Sequence, residues 1–272
     1  MNTSISTIDP SIFEQFKNAF KPSQPYLNYN RIRLSNKKIG DDGQLNPEYG
    51  KLFATTQEDG NDVKTEIDWS KASFVILTSR VAIKSEMIVM PDGKKKFEYE
   101  IPEVADGEPI TVYRSGSKMK DVVAQGYYRD LKEQYRLKYA CAVYVMLRTS
   151  ESEKPTDKIF RWEIGGKALT EYFNIRNDLY DSMSKGEPLS FKIKELVEEN
   201  NGATWYNVPK FEKSSMFPIE SVVPMWKVVN DYFANLNTVK HEQISSTPQI
   251  AEPANSVTEP IREDIVIDGL PF

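Results

Sequence analysis

This chain is poor in the residues that most catalytic and structural metal chemistry needs. Its 272 residues include one cysteine, Cys141, and one histidine, His241. A lone thiol excludes a disulfide framework and a thiolate metal cluster, which fits a reducing compartment. A lone histidine in a polar C-terminal stretch excludes histidine-based triads and histidine-rich zinc sites from the rest of the chain. Carboxylate and Mg²⁺ chemistry is not excluded on that ground. No apolar run approaches membrane-spanning length, and the N-terminal stretch lacks the basic-then-apolar design of a signal peptide. A cytoplasmic protein without membrane association, and without a cofactor, is expected. Phosphate-loop glycine spacing and internal repeats are missing as well.

Charge is present but unevenly placed. The formal net charge is −5. Residues 241–272 hold six acids (Glu242, Glu252, Glu259, Glu263, Asp264, Asp268) and one base, Arg262, so the whole excess lies there. Residues 1–240 balance 34 bases against 34 acids. The negative average is therefore no argument against a nucleic-acid surface on the body. From His241 onward Ser, Thr, Pro, Gln and Glu dominate, prolines recur at 248, 253 and 260, and aromatics vanish until Phe272. Such a segment buries too little apolar surface to offset its ordering entropy. A folded body over 1–240 and a disordered tether over 241–272 are expected.

The body reads as mainly β with helices. Asp9-Pro10 with Ile12, Phe13, Phe16 and Phe20 predicts a short capped helix, and 26–34 alternates like a strand. Residues 40–60, rich in Gly, Asp and Asn, read as loop. Residues 72–84 predict a strand. A hairpin comes next, from Met87–Met90 through Pro91-Asp92-Gly93 to 94–101, and 110–113 adds a short strand. Long strands are expected over 135–148 and 158–164. Gly165-Gly166 opens a helix to Met183, strands 189–197 and 203–211 flank an Asn200-Asn201-Gly202 turn, and an amphipathic helix covers 221–236. Strand, strand, helix, strand, strand is compatible with the latter part of an OB-fold barrel, and equally with other small barrels and α+β sandwiches.

The ending, Arg262-Glu-Asp-Ile-Val-Ile-Asp-Gly-Leu-Pro-Phe272, places a phenylalanine beyond some thirty polar residues. An aromatic ring stabilises a structure only when it leaves water, so this one needs a partner to bury it. Acids followed by a hydrophobic residue, Pro and a terminal Phe resemble the C-terminal tip of bacterial and phage single-stranded DNA-binding proteins. Here Gly269 and the run Ile265-Val266-Ile267 separate most of the acids from Leu270-Pro271-Phe272. The resemblance implies an elaborated OB-fold of phage or plasmid type that binds single strands without base selectivity, in DNA replication, recombination or repair. It also implies that Asp264, Asp268, Leu270, Pro271 and Phe272 recruit replication and recombination proteins.

Binding unpaired strands needs cations that track phosphates and flat rings on which bases stack. Residues 111–148 supply both, with eight bases (Arg114, Lys118, Lys120, Arg129, Lys132, Arg136, Lys138, Arg148) against three acids, and Tyr113, Tyr127, Tyr128, Tyr135, Tyr139 and Tyr144 interleaved. Alternation along 135–148 separates two faces. Tyr135, Leu137, Tyr139, Cys141, Val143, Val145 and Leu147 read as core. Arg136, Lys138, Ala140, Ala142, Tyr144, Met146 and Arg148 read as the binding face, with alanines leaving room for bases. The plain alternative is hydrated cations and tyrosines at core margins.

Trp162 and Trp205 are further stacking candidates, each also open to being core, and Tyr26, Tyr29, Arg31 and Arg33 form a lesser patch. Trp226 and Phe233 read as helix packing residues. Three other functions stay open: a strand-annealing recombination protein forming homo-oligomers, an Mg²⁺ nuclease using acid pairs such as Asp41-Asp42 and Glu198-Glu199, and a non-DNA-binding adaptor.

Overall fold

Period-two alternation in long β-branched and aromatic runs makes this chain mainly β. The structure, a computed structural model, describes residues 30–245 apart from 41, 42, 59, 92, 201 and 203, with side chains to residue 234. The expected helix over 9–20, Tyr26 and Tyr29, the Asp41-Asp42 pair and the C-terminal tip (Asp264, Asp268, Leu270, Pro271, Phe272) lie outside the described residues. Residues up to Ala234 belong to one compact unit; Asn235–Phe272 separate as a second, of which the helical stretch to Ser245 is described.

An eight-stranded sheet, curled into a half-barrel, carries the first unit. In chain order its strands are β1 (Asn30–Leu34), β2 (Leu52–Glu58), β3 (Asn61–Ile67), β4 (Ser73–Lys84), β10 (Lys138–Arg148), β11 (Ile159–Gly165), β12 (Leu189–Asn200) and β13 (Trp205–Met216). Their spatial order is β13-β12-β4-β10-β11-β1-β2-β3, antiparallel except where β1 runs parallel to β11. The mainly β architecture with helices is as expected, and the sheet is an open half-barrel with β13 and β3 as its edges among the described residues. Pro209 lies within β13, where an edge strand tolerates a missing donor. Between β4 and β10 the chain makes a two-stranded hairpin, β5 (Met87–Val89) with β6 (Lys95–Phe97), and a three-stranded sheet of β7 (Tyr99–Glu100), β8 (Ile110–Arg114) and β9 (Val122–Gly126), followed by the one-turn α1 (Tyr128–Leu131). Helices α2 (Lys167–Ser184) and α3 (Ile219–Ser245) complete the described chain.

The odd-numbered residues of β10 face the main core, as alternation requires. Cys141, Val143, Val145 and Leu147 cluster with Phe74, Trp162, Phe191 and Phe211 and with Tyr172 and Leu179 of α2. Trp162 lies 5.0 Å from Phe74 and 5.6 Å from Phe211, centroid to centroid. A second core (Val81, Ile83, Ile110, Val112, Leu137) joins the three-stranded sheet to the end of β4.

Several expectations need correction. Residues 52–58, read as loop, are β2, because Leu52, Phe53 and Ala54 are buried. The strand expected from Tyr135 starts at Lys138; before it the chain turns, with the Leu137 N–H donating to the Lys132 carbonyl at 2.8 Å. Strand β9 was not foreseen. The last helix starts at Ile219 and runs to Ser245, past His241, so residues 241–245 of the expected tether are helical.

Candidate nucleic-acid interface

The even-numbered face of β10 is divided in two, and the register shows where. Lys138 pairs with Lys84, Ala140 with Ala82 and Gly165, Ala142 with Arg80 and Glu163, and Tyr144 with Thr78 and Arg161. At Lys138 the face is exposed, and Ala140, 6 % exposed, borders a cleft. From Tyr144 to Arg148 it is buried, because the apolar stripe of α3 (Val222, Met225, Val229, Phe233) must itself leave water. The Phe233 ring meets Tyr144 edge-on at 5.2 Å, and the Arg80 guanidinium lies 4.6 Å from the same ring.

Three expected stacking or phosphate-binding residues are therefore corrected to interior ones. Tyr144 is 2 % exposed and donates its hydroxyl to Glu103 at 2.7 Å. Burial and the Glu103 carboxylate push that phenol well above its ordinary range. Arg148 is buried, with its Nε donating to Ser73 at 3.2 Å and its guanidinium 4.7 Å from the Phe217 ring. Trp162 is in the main core. Beside Tyr144, Arg161 donates to Glu103 at 2.7 Å. Burial works against the Arg161 charge, yet the Glu103 and Glu163 carboxylates more than offset it and hold the guanidinium above its usual range. Arg80 has no such close carboxylate, and burial pulls its pKa down.

The open half forms one side of a cleft of about 620 Å³ whose lining includes Lys84, Lys138, Met87, Phe97, Gly165 and Gly166. Its lining includes Ala140 and Gly165, which carry almost no side chain and so leave the floor low. Lys84 reaches Glu163 at 2.5 Å and lies 5.5 Å from the Phe97 ring. The β5–β6 hairpin forms the outer wall, with Met87, Ile88, Val89 and Phe97 all exposed beside Lys94, Lys95 and Lys96. The turn between β8 and β9 comes alongside: a Cβ on Gly116 would lie 3.8 Å from Lys96 Nζ, and the Ser115 N–H donates to the Glu98 carbonyl. That turn carries Arg114, Lys118 and Lys120, all exposed. Arg136 joins through an ion pair with Glu86 at 3.1 Å.

Two bases, Lys84 and Lys138, line the cleft, and seven more (Lys94, Lys95, Lys96, Arg114, Lys118, Lys120, Arg136) lie on the adjoining hairpin, the β8–β9 turn and the segment before β10, with five acids (Glu86, Glu98, Glu100, Asp121, Glu163) in the same stretches. These stretches carry a formal excess of bases, whereas Glu86 and Glu163 balance Lys84 and Lys138 in the cleft lining itself. Every non-glycine residue with positive φ among the described residues is in this patch: Lys118 (54°), Met119 (59°) and Arg136 (48°). Such conformations cost of order 1–3 kcal/mol each and concentrate at functional surfaces.

Five expected DNA-binding residues (Arg114, Lys118, Lys120, Arg136, Lys138) are therefore brought together. Tyr127 and Arg129 lie beside a second cleft of about 330 Å³ that shares Tyr139 with the first; both are exposed, the guanidinium 5.9 Å from the ring. Tyr128 is half-buried, edge-on to Tyr139 at 5.3 Å with its hydroxyl donating to the Leu137 carbonyl. Trp205 is 44 % exposed but is engaged elsewhere, with Lys38 Nζ 5.5 Å from its ring. Glu198 accepts from Lys38 and Tyr49, and Glu199 pairs with Lys167, so these two acids are committed to separate partners. Among the described residues no three His, Cys, Asp or Glu side chains gather as a metal-binding group.

Sequence reasoning missed Lys84, Phe97, the Lys94–Lys96 run and Gly165-Gly166 as site residues. The three consecutive lysines after a Pro-Asp-Gly turn were the available signal. The chain matches no protein-family model, no curated protein and no solved structure.

Proposed function

We propose that this protein binds single-stranded DNA without base selectivity, on the open face formed by Lys84, Lys138, the β5–β6 hairpin and the β8–β9 turn. The observation that carries the reading is a cleft lined by Lys84 and Lys138, whose wall exposes Phe97 and Met87, with seven more bases on the adjoining hairpin, the β8–β9 turn and the segment before β10. Phosphates track the lysines, and a base lies flat over Ala140 and Gly165 against the Phe97 ring. Tyr127 and Arg129 extend the track past Tyr139. In the same reading the protein serves DNA replication, recombination and repair, and its last residues, Asp264, Asp268, Leu270, Pro271 and Phe272, dock to proteins of those processes. The elaborated OB-fold relationship belongs to this proposal too, resting on the strand-and-helix order of the second half.

The test is a fluorescence titration of the full chain with oligo-dT and with the matching duplex at low and moderate salt. Tighter binding of the single strand is expected, with affinity falling as salt rises by a log–log slope of about −0.7 per phosphate contacted. Reversing Lys84, Lys95 and Lys138 to Glu should weaken binding at least about tenfold while the melting temperature stays near that of the parent. Deleting 246–272, which removes five acids and one base, should strengthen binding at low salt only, because screening erases long-range repulsion between the tail and a polyanion. No response to oligo-dT at low salt would overturn the function. An unaffected triple variant would overturn the surface.

A further inference from the structure

Helix α3 buries one stripe and leaves another uncovered. Val222, Met225, Val229 and Phe233 are buried, whereas Ile219, Val223 and Trp226, at spacings of four and three, are 39 %, 50 % and 45 % exposed. Met216, at the end of β13, extends this stripe at 47 % exposed. Tryptophan was expected here as a packing residue, yet it is 45 % exposed. The exposed part of the indole gains nothing for the monomer, and exposed Trp in an apolar row is characteristic of association surfaces.

The charges beside the stripe indicate what covers it. Glu220 and Lys227 are exposed and seven residues apart, so they lie on one flank of the helix two turns from each other. Their midpoint falls next to Val223, and so does the midpoint of Ile219 and Trp226. A two-fold axis at Val223 would set two α3 helices antiparallel with Ile219 of each copy against Trp226 of the other. The same operation brings Glu220 of each copy opposite Lys227 of the other, forming two reciprocal ion pairs. A pattern that is complementary to itself under one rotation fits an isologous dimer. A polyanion has no such match, because Glu220 and the exposed Asp231 outnumber Lys227 on this flank.

We infer that this protein forms a two-fold symmetric dimer through Met216 of β13 and Ile219, Val223 and Trp226 of α3, with register set by Glu220 and Lys227. The patch lies at the Arg148 end of β10, where Phe217 contacts Arg148, while the basic cleft lies at the Lys138 end. Those ends are roughly 30 Å apart by strand rise. Dimerisation therefore does not rest on the nucleic-acid reading, and it leaves both clefts accessible.

Sedimentation equilibrium of the full chain without oligonucleotide tests it. A concentration-dependent monomer–dimer equilibrium is expected, abolished by Trp226→Ser. Glu220→Lys and Lys227→Glu should each raise the dissociation constant about tenfold by placing like charges opposite each other. The double variant Glu220→Lys/Lys227→Glu should recover the parent value to within about threefold, as coupled neighbours do. At protein concentrations well below the dissociation constant of the dimer, unfolding curves of the variants should match the parent, since all three side chains are exposed. A monomer at every attainable concentration, a dimer indifferent to Trp226→Ser, or a double variant no better than the single ones would each overturn the inference.

Discussion

Glu103 is the side chain on which the covered half of the sheet turns. It comes after β7 in the chain, and the neighbouring Val104 fixes it by exchanging two backbone hydrogen bonds with Val81 of β4. Its two oxygens accept from Tyr144 and from Arg161, both at 2.7 Å. Glu103→Ala takes the acceptor from both, and leaves a largely buried guanidinium with Glu163 alone; a loss of about 3 kcal/mol is expected. Tyr144→Phe removes one neutral donor and leaves the ion pair intact, so about 1 kcal/mol is expected. Urea unfolding at neutral pH measures both, and equal losses would mean that the ion pair contributes nothing beyond the phenol. At the same scale, Tyr144 explains why a tyrosine in a basic stretch cannot be assigned from sequence. Alternation placed it on the same face as Lys138, and only the position of Phe233 decides that it is dry.

Among elements, the junction between β11 and α2 joins conformation to recognition. Gly166 caps α2 at φ 59°, ψ −142°, a region essentially closed to residues with a Cβ, whereas Gly165 before it has no such constraint. Gly166→Ala should therefore cost about 2 kcal/mol. Gly165→Ala should change stability by less than about 0.5 kcal/mol, because its new methyl meets Ala140 Cβ at 3.4 Å, an ordinary contact. On the proposed function it nonetheless raises the cleft floor, and oligo-dT binding should weaken severalfold. Thermal melts and a titration separate the two effects; unchanged binding by Gly165→Ala would remove the floor from the contact surface. The strands and helices here were mostly legible, since 73–84 is a long β-prone run and 189–200 and α2 keep closely to their periods. Residues 52–58 were not, because Gly, Asp and Asn on both sides mask a seven-residue strand whose burial depends on β1 and β3.

For the whole molecule, the buried ionisable groups make the fold sensitive to alkali. Burial raises the Cys141 thiol from 9.0 to about 11 and the Tyr139 phenol from 10.0 to about 12. Both are neutral when folded, and both lose a proton more readily when unfolded. Their contribution to stability is therefore complete below about pH 9 and disappears as pH rises through 11 and 12. Denaturation midpoints should hold steady from about pH 7 to 9 and fall steeply above about pH 10. In the same window Cys141 should resist alkylation until the chain unfolds, because a protonated buried thiol is a poor nucleophile. A midpoint that is flat up to about pH 11 would contradict the burial of both groups.

The sequence alone determined the properties that local chemistry sets. Its single thiol and single histidine limit the available reactions, its alternation produces β-strands, and the concentration of acids after residue 240 leaves a neutral body. Each of these depends on composition or on near neighbours along the chain. Tertiary structure decided the rest. It curled eight strands into an open half-barrel, gave Tyr144 and Arg148 to the interior, and drew Lys84 and Lys138 to one cleft from distant positions in the chain. It also left Trp226 about half exposed, at 45 %. Burial and convergence are set by what packs from elsewhere in the chain, and the periodicity of one segment carries no record of its neighbours in space.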